Sequence, residues 1–131
     1  MENSYNNYGS YDNQNQNQTA KRETHNHEFQ SSVDYVKDDE GIEHSHHIAG
    51  VTGPSIRHGQ SHVHKVNVFI DTSSHHYHEI SGTTGPALYV NGRKHVHLLR
   101  GTTTYDDGHE HNYYFTTLVE DPTSILKDNN Y

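Results

Sequence analysis

Six times along this 131-residue chain two histidines stand one residue apart, and each time the residue two positions further on is apolar or aromatic. The pairs are His25/His27, His44/His46, His62/His64, His76/His78, His95/His97 and His109/His111, followed by Phe29, Ile48, Val66, Ile80, Leu99 and Tyr113. Fifteen histidines scattered at random would give about two such pairs, so the period-2 spacing is a pattern. On a strand, residues i, i+2 and i+4 project to one side. The motif H-x-H-x-Φ therefore predicts strands that aim two imidazoles and a hydrophobe at one interior. "HVHKVNVFI", starting at His62, extends the same parity through Val66, Val68 and Ile70. The intervening Asn26, Ser45, Val63, Tyr77, Val96 and Glu110 vary freely, as outward-facing positions would.

Inward imidazoles at this spacing point to metal ligation. Residues i and i+2 lie roughly 6.6 Å apart along a strand, and long imidazole side chains can converge from there on one ion. Two pairs would make a four-coordinate site and three pairs an octahedral one. All-imidazole ligation suits a divalent transition metal (Zn, Fe, Ni or Cu) and disfavours Mg and Ca, which want oxygen ligands. The competing readings are a hydrogen-bonded histidine ladder and histidines on the surface; twelve inward rings are hard to satisfy as a ladder, because each neutral ring needs a donor and an acceptor partner. The unpaired His47, His58 and His75 are given no role.

The chain repeats itself. "HSHHIAGVTGPSIRHGQSHVH" (44–64) aligns with "HYHEISGTTGPALYVNGRKHVH" (76–97), sharing an HxH pair, an aliphatic residue, T-G-P, a further Gly and a closing HVH. The repeat units are 44–75 and 76–108. No stretch carries helical apolar spacing, while Val, Ile, Thr, Tyr and Gly dominate. The fold class expected is all-β, with short strands in a repeated HxH–TGP–HxH arrangement, solenoid-like or intertwined between chains. The two TGP elements and "DDG" (106–108) read as turns, and one helical turn is possible after Pro122. Residues 1–22, an Asn/Gln/Tyr-rich tract almost without aliphatics, read as a disordered tail. Residues 23–122 form the His-rich β domain, and 123–131 a C-terminal tail.

Leu, Ile, Val and Phe make up about 18% of the chain, thin for a self-sufficient core, so metal or oligomerisation is expected to supply stability. A net charge of −8 with scattered basic residues argues against nucleic acid and against an anionic membrane surface. Zero cysteines removes disulfides, thiolate ligands and Cys nucleophiles together. No signal peptide or membrane-spanning segment is evident, which points to a cytoplasmic protein and leaves export by another route open. Catalysis is not expected, nor is a small-molecule substrate. Glu79 and Glu110 have outward parity, and no nucleophile, base and orienting group can be assembled.

The run from about residue 25 to 122, with its HxH pairs, two TGP elements and "DGHEH" close, resembles the YmaF family of spore-forming bacteria. That resemblance implies a spore-associated location as the alternative to a cytoplasmic one, and no particular activity. A looser likeness of motif is to bacteriophage tail-fibre tips, where HxH repeats along a trimer axis bind iron octahedrally. It implies a homo-oligomer, a trimer first, in which three copies of each pair give six imidazoles per ion. A single chain that pairs its own motifs is the competing arrangement. The functional expectation is a protein whose transition metal is mainly structural. The alternative is a spore-coat or surface-layer protein that self-assembles without obligatory metal.

Overall fold

The computed structural model describes residues 24–71 and 75–123. The tail expected over 1–22 lies outside the described residues, as does the 123–131 tail beyond Thr123. Among the described residues the protein is all-β, with no helix and hence no helix long and apolar enough to cross a membrane. The strands are short: β1 (Glu28–Ser32), β2 (Val36–Lys37), β3 (Glu43–His44), β4 (His47–Val51), β5 (Ser55–His58), β6 (Ser61–Phe69), β7 (Glu79–Thr83), β8 (Leu88–Asn91), β9 (Lys94–Val96), β10 (Leu98–Thr102) and β11 (Asn112–Thr116). They form small, open sheets.

Three antiparallel ladders of five residue pairs carry the core. In the first, β1 pairs with β4, from Glu28↔Val51 to Ser32↔His47. In the second, β6 pairs with β7, from Lys65↔Thr83 to Phe69↔Glu79. In the third, β10 pairs with β11, from Leu98↔Thr116 to Thr102↔Asn112. Period-2 alternation sends one face of each strand inward. All six residues expected to follow the histidines inward (Phe29, Ile48, Val66, Ile80, Leu99 and Tyr113) are buried, joined by Val33, Ile70 and Phe115. The Phe29 and Phe115 rings stack at 5.5 Å. Of the residues expected outside, Val63 departs from the pattern and is buried.

The core is narrow because aromatic rings lie over glycines in the facing strand. Phe29 opposes Gly50, and Tyr113 opposes Gly101. A Cβ on Gly50 would sit 2.8 Å from the tip of the Phe29 ring, and one on Gly101 would sit 2.6 Å from the Tyr113 hydroxyl.

Turns fall where the backbone needs a left-handed residue. Gly41, Gly59 and Gly92 have positive φ in the bends joining β2–β3, β5–β6 and β8–β9. The DDG element is a tight turn, with Asp107 and Gly108 at φ of 55° and 80°. The TGP elements behave otherwise than expected. Residues 52–54 and 84–86 carry no turn; they are extended crossings between neighbouring ladders, with Gly53 N–H donating to Lys65 O and Gly85 N–H to Leu98 O. The expected helical turn after Pro122 falls at the edge of the described residues, where 122–123 form a turn.

Candidate metal centre

Five of the six core strands begin immediately after an HxH pair, and in β6 the pair His62/His64 lies within the first four residues. β1, β6 and β10 carry away from one end of the core, and β4, β7 and β11 run back from the other. Antiparallel pairing therefore sorts the six pairs into two sets at opposite ends. His25/His27, His62/His64 and His95/His97 converge at one end, here cage A. His44/His46, His76/His78 and His109/His111 converge at the other, cage B. About six residues of strand separate the ends, roughly 20 Å.

The ring nitrogens of the six cage A histidines lie within 4.8 Å of one another, as do those of His44, His46, His76, His109 and His111. His78 completes cage B, with its Nε2 3.2 Å from His109 Nε2. In cage A, neighbouring rings meet edge to face with centroids 4.4–5.1 Å apart. Each ring has one opposite number that it does not meet in this way: His25 opposes His97, His27 opposes His62, and His64 opposes His95. In cage B the opposed pairs are His44 with His78, His46 with His109, and His76 with His111. Six vertices, each adjacent to four others and opposed to one, define an octahedron.

The edge lengths agree. Neighbouring Nε2 atoms stand 3.1–3.2 Å apart in both cages. An octahedron with that edge has its centre about 2.2 Å from each nitrogen, close to metal–imidazole bond lengths. The first histidine of each pair (His25, His62, His95; His44, His76, His109) forms the outer triangle, and the second forms the inner one, against the core. All six inner rings are essentially inaccessible to solvent.

Hydrogen bonds to Nδ1 fix the tautomers. In cage A, Nδ1–H of His27, His64 and His97 donates to the carbonyls of Leu118, Gly53 and Gly85 at 2.8–2.9 Å. In cage B, His46, His78 and His111 donate to Asp71, Thr104 and Asp34 at the same lengths. A carbonyl can only accept, so the proton is on Nδ1 and each Nε2 presents a lone pair to the cage centre. Where both rings of such a contact carry the proton on Nδ1, the contact is not a hydrogen bond. His78 and His109 show this directly: both Nδ1 atoms face backbone oxygens, Thr104 O and Asp107 O, while their Nε2 atoms face each other. His64 Nε2 and His111 Nε2 are buried with no hydrogen-bond partner. Converging lone pairs repel, and a cation at the centre is what would satisfy them. The residues present fit a six-coordinate metal.

Burial holds the imidazoles neutral. It is the leading cause of the low pKa values of His25 (about 3), His62 (about 4), His64 (about 2) and His111 (about 4). Neighbouring histidines lower all four further, while the Nδ1–carbonyl bonds at His64 and His111 oppose the shift.

The structure adds residues that the motif did not reveal. Thr52, Thr84, Thr103 and Thr117 are buried, and their hydroxyls accept from the backbone N–H of His27, His64, His111 and His97. Each follows an inner histidine by six residues, as Val33 and Ile70 also do, so a recurring H-x5-[T/V/I] spacing was the available signal. The next residue along supplies the carbonyl for a histidine of a neighbouring ladder. These bonds link first to second, second to third, and third back to first, the last through Leu118 and His27.

The YmaF family model, described as spore germination protein GerY/YamF, matches residues 22–119. No curated protein and no solved structure matches the chain.

Proposed function

The chain belongs to the YmaF family, and we propose that it is a β module stapled at both ends by transition-metal ions, each held by six imidazoles, that serves the family's process of spore germination. The octahedral adjacency of the rings, with Nε2 lone pairs turned inward, carries this reading. Of the four metals the sequence allows, Zn favours four-coordinate structural sites and Cu(II) tetragonal ones. The cages therefore favour ferrous iron or nickel. Six protein ligands leave no position for water or substrate, so the metal's role is structural rather than catalytic. One ion ties all three ladders together at each end, compensating for a sparse core.

On this reading the three ladders are three copies of one unit wound once around the core, and the chain is neither an open solenoid nor in need of a second copy to complete a site. Self-association would be a separate property, supported by the exposed Leu88, Tyr89 and Val90 on β8. Untagged protein should contain close to two equivalents of metal per chain. X-ray absorption should give six nitrogen neighbours at about 2.2 Å with imidazole scattering. Metal-free protein that stays folded, or a four-coordinate spectrum, would refute the proposal.

A further inference from the structure

The two cages share a ligand set but differ in charge around it. Where a strand end of cage A supplies Gly53, Gly85 or Leu118 as the carbonyl against an inner histidine, the matching positions at cage B are Asp71, Thr104 and Asp34. Two of these residues and two from the DDG turn put four carboxylates against cage B ring nitrogens. Asp34 is 3.7 Å from His111 Nδ1, Asp71 is 3.5 Å from His46 Nδ1, Asp106 is 3.6 Å from His78 Nδ1, and Asp107 is 3.4 Å from His76 Nδ1. Among the described residues, the carboxylate in this position at cage A is Glu120, 3.2 Å from His95 Nδ1. Access differs as well. All six rings of cage B are buried, whereas His25 and His62 in the outer triangle of cage A are partly open to solvent.

Neutral imidazoles leave the full charge of a dication uncompensated, and burying it is unfavourable unless anions stand nearby. Carboxylates against the far nitrogen of a ligating histidine also raise the ring's basicity, an outer-shell effect of about 10–100-fold in metal affinity. Among the described residues, cage B has this support on three ladders and cage A on one.

We infer that cage B retains its ion while cage A is an exchangeable site, filling and emptying with free divalent metal. This rests on the proposal that both cages bind metal. The ion in cage A also faces solvent through the His25–His62 side of the outer triangle, so a competing ligand reaches it first.

The test loads full-length protein with two equivalents of Ni2+ and challenges it with EDTA at pH 7.5, following release over time. One equivalent should leave at least tenfold faster than the other, and the hyperfine-shifted imidazole N–H signals that persist should be those of cage B. Asp71→Asn with Asp107→Asn keeps acceptor oxygens in place and removes two charges, so it should bring the two release rates together. Release of both equivalents at one rate, or first loss from cage B, overturns the inference and leaves two-site binding intact. Failure to bind nickel at all refutes the underlying proposal instead.

Discussion

Acidification from pH 7.5 to 5.5 should strip stability from this protein before most carboxylates titrate. His64 and His111 are inaccessible to solvent, with pKa values held down to about 2 and about 4, chiefly by burial. In the unfolded chain the same groups titrate near pH ~6.5. At pH 5.5 the folded state keeps both neutral while the unfolded state has protonated both. The unfolded state binds more protons, so stability falls as pH falls. The loss begins near the unfolded pKa and continues down towards the folded values. One pH unit below the unfolded value, each such group costs ~1.4 kcal/mol, or ~3 kcal/mol for the two. The sum depends little on how far each pKa is lowered, provided the folded value lies well below 5.5.

His25 (about 3) and His62 (about 4) add in the same direction, by a smaller amount where solvent screens them. Against a domain stability of about 5–15 kcal/mol, a loss of ~3 is large. For a domain of this size it corresponds to a fall in Tm of roughly 12–20 °C. Bound metal does not change the sign, because protons and metal compete for the same lone pairs. Thermal unfolding followed by circular dichroism at half-unit pH steps, with and without chelator, measures it. A Tm that is flat or rises between pH 7.5 and 5.5 would mean the imidazoles are not held neutral by the fold, and the cage argument would fail with it.

Two further outcomes separate cage from core. His62→Ala with His64→Ala removes two of the six ligands of cage A and should lower metal content by about one equivalent, while His58→Ala, on an exposed strand position, should leave it unchanged; elemental analysis distinguishes them. Gly50→Ala should destabilise by about 1–3 kcal/mol, because its Cβ would overlap Phe29 and Val68 at 2.8 and 2.9 Å. Gly53→Ala, whose Cβ would meet only Lys65 O at 3.7 Å, should cost well under about 1 kcal/mol in the same denaturation assay.

The inward direction of the histidines was legible because strand parity is local: H-x-H-x-Φ needs no knowledge of what the strand pairs with. All six hydrophobes of the motif are buried. Val63 is the exception among the intervening residues, paired with Ile56 across β5 and β6 in a way that parity alone does not report. Sorting the pairs into two sets of three was not legible, since it depends on pairings between strands far apart in the sequence. Only two repeat units could be aligned, each holding one pair for each cage. On the proposed reading the third unit is split by the chain itself: His109/His111 with Thr117 stands at one end of the domain, and His25/His27 at the other. They meet only through contacts such as His27 Nδ1–H to Leu118 O, across 91 positions. TGP was misjudged for a related reason. Glycine and proline suggest a turn, but here Thr52 and Gly53 act as hydrogen-bonding partners for histidines of two different ladders.

The sparse core and the acidic charge become one argument once the cages are considered. The six inner imidazoles occupy interior positions that aliphatic side chains would otherwise fill, and with their Nδ1 protons directed at carbonyls they offer the interior only lone pairs. Hydrophobic burial cannot satisfy those lone pairs, and solvent does not reach the inner triangles. Two dications would satisfy them and bring the formal charge from −8 to −4, because neutral imidazoles contribute none of their own. Among the described residues the carboxylates are spread unevenly: Asp34, Asp71, Asp106 and Asp107 stand at cage B and Glu120 at cage A. An acid behind a ring, at the nitrogen facing away from the cage centre, would raise the basicity of a ligating imidazole. Charge placed there would also compensate a cation bound inside.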